Sequence, residues 1–459
     1  MLVVRHPRER EAEHAYAIDF VLGERLGLEL ERVSEPRADV EIGLAGDAAP
    51  RRVVVAGSFL RMPEARWLAP ESVPEADAGT WQLDGDLGEA SVVSAGLPVI
   101  FGSPGVRVWD DRVELDVDVF GAVFFLLSRY EERARPERDA RERFPASASL
   151  AARAGFLDRP LADEYVEVLW SALHRVWPGL RRRSPAGGMR LSCDVDWPVY
   201  GRQGLGRTAG RALLDVVRRG DPSLAAARMR AWRANHGGDL ARDPWHSFDH
   251  IMDAAERRGL SCAFYVMAGC TNPALDGGYS LDEPWLRDLL RRIHGRGHEI
   301  GLHPSYETFR DADATREEAV RLRSVCAQEG IEQAQWGGRQ HFLRWENPTT
   351  WRNWETAGLD YDSTLGFPER PGFRSGTCFE HPAFDLLARR TLALRERPLV
   401  VMEQTVIGEG FDARVALETM GELRRRCRVV GGDFTLLWHN SQLVTPRLRR
   451  LFGEALDLA

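Results

Sequence analysis

The chain contains no lysine: all 61 of its cationic side chains are arginine. Without a side-chain amine, Schiff-base catalysis is excluded, and so is a Walker-type phosphate loop, which needs its lysine. Cysteine is scarce. The six cysteines, at 193, 262, 270, 326, 378 and 427, leave the first 192 residues without any and show no C-x-x-C spacing. Reduced thiols are therefore expected, not a disulfide framework or a structural zinc. Long apolar runs are missing too: the longest candidate, Val119 to Leu127, spans nine residues, where a membrane helix needs about 20. The start, Met1-Leu2-Val3-Val4-Arg5-His6, carries no signal-peptide pattern, so a cytoplasmic location without a membrane span is the expectation. Positive charge is not in excess. A net charge of −8 with a pI near 5.9 argues against a general nucleic-acid partner.

What is present describes a soluble enzyme-sized chain. Hydrophobic residues at 44% and charged residues at 28% are those of an ordinary globule. At 459 residues the chain exceeds the single-core limit of about 250 to 300, so two domains are expected, residues 1–185 and 186–459. In the first, Val40 to Leu44, Arg52 to Ala56 and Val92 to Phe101 read as short strands and Phe120 to Arg133 as a helix with an apolar face, a smaller mixed α/β unit. Its Asp116-Val117-Asp118 precedes that helix and reads as capping. The segment Arg181 to Gly188, rich in Arg, Pro and Gly, reads as the linker.

The second half repeats one arrangement: an apolar run of strand length closed by a polar group. Met189 to Cys193 ends in Asp194-Val195-Asp196, Glu299 to Leu302 ends in His303, and Gly338-Arg339-Gln340-His341 closes another segment. Asp360-Tyr361-Asp362 follows a short helix, and Phe434 to Trp438 ends in His439. Two carboxylates two residues apart on an extended segment point the same way, so one can hold a metal while the other works on the metal's water. Where strands alternate with helices, ligands gather at the strands' C-terminal ends. These distant groups can therefore converge. His298 lies an odd number of residues from His303 and faces the other side of the strand.

Residues from about 188 to 445 resemble the polysaccharide deacetylase superfamily, the NodB-like carbohydrate esterases, and within it the divergent members associated with surface-polysaccharide synthesis. The resemblance implies a distorted (β/α) barrel for the C-terminal domain. It makes Asp194 the base, Asp196 and His303 metal ligands, and Arg339 the group that holds the base. His439, the histidine of the closing Leu437-Trp438-His439 motif, becomes the acid that protonates the leaving group, and Asp362, the carboxylate of the fourth motif, the group expected to orient it. One departure matters. The family's second motif has a histidine four residues after His303, where this chain has Glu307. The third ligand is then Glu307 or His341, and the divergent members, which read His-Pro-Ser-Tyr and later Arg-Gln-His, favour His341. The cofactor implied is one divalent ion, zinc first, with cobalt, nickel or manganese as alternatives. The reaction implied is hydrolysis of an N- or O-acetyl group from a sugar of a surface polysaccharide or its precursor.

Residues 200–242 read as an insertion of two helical stretches, Ala209 to Arg219 and Ser223 to Ala234, with nine Arg and three Asp. A solvated hairpin is the plainer interpretation; a lid meeting a phosphate on the sugar carrier is the other. Trp245 and His246 read as helix-start and packing residues. The aromatic group Phe342, Trp345, Trp351 and Trp354 reads as core, with room for one exposed ring to stack on a sugar. Two functions of other classes stand beside hydrolysis: a D-x-D glycosyltransferase, which leaves His303 and His439 without a role, and a catalytically silent carbohydrate-binding homologue.

Overall fold

The computed structural model describes residues 1–458 apart from 48, 50, 77–78, 84, 86, 88–89, 185, 201–203 and 409–410. Pro185 of the expected linker and residues 201–203 of the expected insertion thus lie outside the described residues. The chain begins with β1 (Leu2–Pro7), β2 (Leu30–Glu35), β3 (Val40–Leu44), β4 (Arg52–Val55), β5 (Gly79–Gln82), β6 (Gly96–Val99), β7 (Gly102–Val108) and β8 (Arg112–Val117). Six of these form one sheet in the order β2-β1-β3-β4-β8-β7, and β5 pairs with β6 separately. Alternate residues, Val40 and Ile42, Val53 and Val55, Val113 and Leu115, are fully buried, which is the period of two that half-covered strands require. Helices Glu11–Ile18, Val119–Leu127 and Leu161–Val176 share a core with that face. The expected strand Val92 to Phe101 shortens to β6, and the expected helix breaks at Arg129, whose φ is 52°. Asp118 caps the first of the two pieces through Gly121 N–H, so that D-x-D is structural.

The second sheet holds β9 (Met189–Val195), β10 (Cys262–Val266), β11 (Glu299–Leu302), β12 (Gly337–Gly338), β13 (Tyr361–Asp362), β14 (His381–Asp385), β15 (Arg390–Glu396), β16 (Val401–Met402) and β17 (Phe434–Leu437). Their order is β14-β15-β13-β12-β11-β10-β9-β17-β16, and every pair is parallel except the β14–β15 hairpin. All five residues of β10 and all four of β17 are buried, as strands covered on both faces must be. The fold is mixed α/β, but among the described residues the sheet does not close into a barrel. Hydrogen bonding stops at β14 on one side and β16 on the other. The physical reason lies at β14: Phe384 and Leu386 enter the hydrophobic core of the N-terminal sheet, and Tyr16 donates its hydroxyl proton to Pro382 O at 2.7 Å.

Buried charge fastens the two sheets' surroundings together. Arg374 meets Glu132 at 2.6 Å, with both side chains almost fully enclosed, and Arg129 meets Glu131 and Glu132. Asp163 accepts from Thr377 Oγ1 and Cys378 N. No helix among the described residues is long and apolar enough to cross a membrane.

Candidate metal centre

Three strand ends meet. Asp196 follows β9, His303 follows β11 and His341 follows β12, and one ligand atom from each lies within 4.8 Å of the others. His303 Nε2 is 3.0 Å from Asp196 Oδ1, His341 Nδ1 is 3.5 Å from the same oxygen, and the two ring nitrogens are 2.9 Å apart. The outer nitrogens are already engaged: His303 Nδ1 lies 2.6 Å from Arg339 O and His341 Nε2 3.2 Å from Leu275 O. A carbonyl accepts and cannot donate, so in the neutral rings each outer nitrogen carries the proton and each inner one presents a lone pair. Two lone pairs and a carboxylate oxygen thus point at one spot. Asp196 Oδ1 is shielded from water and accepts no hydrogen bond. Such a donor set repels itself unless a cation sits among it, and Asp with two His is a ligand set that suits zinc.

The charges agree with the geometry. Burial opposes ionisation of Asp196, yet His341, His303 and His439 together hold its carboxyl well below the usual range. Burial also opposes a charge on His303, but Asp194 and Asp196 outweigh it and raise that imidazole. His341 is lowered, chiefly by burial. The carboxylates therefore favour positive charge at the point where the three side chains meet.

Glu307 is elsewhere. Its carboxylate is half exposed and pairs with Arg344 at 2.8 Å, so of the two alternatives for the third position the structure brings His341 to Asp196 and His303.

Asp194, the penultimate residue of β9, is 3% exposed and accepts from Arg339 Nη1 at 2.7 Å. Arg339 is fully enclosed and is itself fixed by Ser192 Oγ, Ser363 O and Ser363 Oγ. Burial works against its charge, but Asp194 keeps the guanidinium protonated. Glycine makes this junction possible: a Cβ on Gly338 would sit inside the van der Waals shell of Leu302 O, and the close approach brings Arg339 and His341 beside His303.

His439 stands on the far side, with Nε2 3.5 Å from Asp196 Oδ2. Its Nδ1 is 2.7 Å from Glu403 Oε1. Burial disfavours its charge, but Glu403 and then Asp196 push its pKa up to about 10, so it is a cation at neutral pH. The orienting carboxylate expected in Asp362 is therefore Glu403. Asp362 sits on β13, five strands from β17 in the sheet order, where it accepts from Thr364 N and Oγ1. Burial raises it to about 7 beside the equally buried Glu396. Glu403 was missed by the sequence reading, although Leu399 to Met402 closed by Glu403 is the same apolar-run-then-polar pattern as the others. Trp345, Trp351 and Trp354 are core; the exposed ring beside the site is Trp197, at 44%.

The profile of a family of unknown function, DUF7033, matches residues 2–178. No curated protein matches. Among solved structures, the chain is similar to one described as a polysaccharide deacetylase of Mycobacterium smegmatis (20% identity over 60% of this chain and 84% of that one, TM-score 0.38). It is similar also to one described as a polysaccharide deacetylase of Pseudomonas aeruginosa PAO1 (13%, 61% and 86%, 0.36) and to an allantoinase, PuuE (11%, 61% and 85%, 0.36).

Proposed function

We propose that the chain is a metal-dependent hydrolase that removes an N- or O-acetyl group from a sugar of a surface polysaccharide or its precursor, and that residues 1–185 are an accessory domain to residues 186–459. The observation that carries this reading is the convergence of one carboxylate oxygen and two imidazole nitrogens beside a separate carboxylate held by a buried arginine. Asp196, His303 and His341 would hold a divalent ion, zinc first. When bound, that ion supplies a Lewis acid and lowers the pKa of water to about 7.

The chain's own groups divide the proton work. Asp194 accepts from Arg339 through Oδ1, which leaves its other oxygen to take the proton of the attacking water. Arg339 fixes the orientation of that carboxylate through the buried ion pair. On the opposite side, His439 carries a proton on Nε2 and is positioned by Glu403 through Nδ1; it gives that proton to the departing amine or alcohol. Base and acid thus stand on opposite sides of the site, one fixed by a guanidinium and the other by a carboxylate. A glycosyltransferase gives no use to this pairing.

Metal analysis of the purified chain, with acetate release from a panel of acetylated saccharides and nucleotide sugars, tests the reading. A stoichiometric divalent ion and release abolished by chelation support it. Absence of both leaves the silent carbohydrate-binding homologue.

A further inference from the structure

Eleven large apolar residues are exposed among the described residues, and five of them lie on one helix of 15, Leu205–Arg219. Leu205, Leu213, Leu214, Val216 and Val217 are between 45 and 72% exposed. At about 3.6 residues per turn, Leu205, Leu213, Val216 and Val217 share one side with Ala209, and Leu214 extends it. Arg207, Arg211 and Arg218 border it. The side turned to the protein is the narrow one: Thr208, Ala212 and Asp215 are buried, and Asp215 is held by Arg228 of helix Pro222–Gly237. A helix serving only its own fold turns its apolar stripe inward. This one turns it out.

We propose that helix Leu205–Arg219 docks on an anionic membrane surface. An exposed apolar face bordered by arginines is the composition of a helix that lies in the headgroup layer. Charge decides between this occupant and a second copy of the chain. Residues 200–242 carry nine Arg and three Asp in a chain of net charge −8, so the positive charge is concentrated at this hairpin. Two copies meeting here would oppose like charge, whereas anionic lipid complements it. The hairpin is also well placed. Its first helix begins at Leu205, in the segment that follows Asp196 in the chain, and Tyr200 N donates to Asp243 at 2.8 Å while the Tyr200 and Trp245 rings meet at 4.8 Å. Docking would hold the metal centre beside the bilayer. The extension that the sugar is presented on a membrane-borne carrier rests on the proposed hydrolase reading; docking itself does not.

Flotation of the full chain with phosphatidylglycerol vesicles and with phosphatidylcholine vesicles tests this. The expected result is binding to phosphatidylglycerol that weakens with salt and falls at least tenfold in Leu213→Gln/Val217→Gln. Arg207→Gln and Arg218→Gln should each cost about fivefold, the usual contribution of one basic residue near an anionic surface. Val320→Gln/Leu387→Gln, which removes comparably exposed apolar residues elsewhere, should bind as the parent does. No flotation of the parent chain at low salt overturns the proposal, as does equal loss in both double variants. So does a dimer that the first double variant dissociates without any vesicle binding. All substituted side chains are exposed, and metal content, measured in parallel, reports separately on the hydrolase reading.

Discussion

Asp194 and Asp196 are two residues apart on one strand end, and their neighbours give them different tasks. Asp194 meets a guanidinium, while Asp196 meets three imidazoles. Asp194→Asn keeps the shape and the hydrogen bond acceptor but removes the proton acceptor. Acetate release should fall at least about 100-fold, the lower range for general-base assistance, with metal content unchanged. Unaltered turnover would reject Asp194 as the base. Glu403→Gln tests the other half. The amide no longer holds the charge on His439, so kcat should fall by about tenfold or more while KM and metal content stay close to those of the parent. A loss confined to KM would argue that Glu403 shapes the substrate site instead.

At the scale of elements, the two-residue strands β12 and β13 do more than their length suggests. Gly338→Ala would force β12 away from Leu302 O, costing about 1–3 kcal/mol as an overpacked substitution. His341 would move away from His303, so the variant should lose metal affinity beyond its loss of stability; chelator competition measures this. On β13 and β15, Asp362 and Glu396 form a buried acid pair. The folded chain binds the Asp362 proton more tightly than the unfolded chain, with a pKa of about 7 against 3.8. Below about pH 4 the group is protonated in both states and contributes nothing. As pH rises from about 4 to 7, only the unfolded state ionises, so stability declines. Asp362→Asn should flatten that decline in denaturant titrations across this range. An unchanged slope would show that Asp362 is ionised in the folded state.

At the scale of the whole molecule, the N-terminal part reaches the metal centre. Phe342 and Leu343, immediately after His341, have φ of 58° and 54°, a left-handed conformation that non-glycine residues adopt only when held. What holds them comes from residues 139–144. Arg143 Nη1 donates to Phe342 O at 2.8 Å, Arg344 Nε donates to Arg141 O at 3.1 Å, and Arg344 pairs with Glu142 at 2.7 Å. Arg143→Ala should therefore weaken metal binding roughly tenfold, as loss of an outer partner commonly does, while global stability changes by about 1 kcal/mol. Undiminished affinity would confine the N-terminal part to a packing role.

The candidate metal centre was legible because Asp196 and His303 each close an apolar strand, and that local pattern survives in the sequence whatever the loops between do. Glu403 closes an apolar run like the others, but nothing local in the sequence marks it as the partner of His439, a pairing across 36 residues. The orienting role expected of Asp362 failed because partner choice follows strand order, and β16, not β13, lies next to β17. The two helical stretches of residues 200–242 were legible, but which side of the first helix faces outward was not. Composition and periodicity alone determined that this chain folds as mixed α/β, without lysine chemistry, and with acids and imidazoles at strand ends. Only the tertiary structure decided which of those groups come together, which carboxylate lies against His439, and where an apolar face is left uncovered, because these depend on distances between residues far apart in the chain.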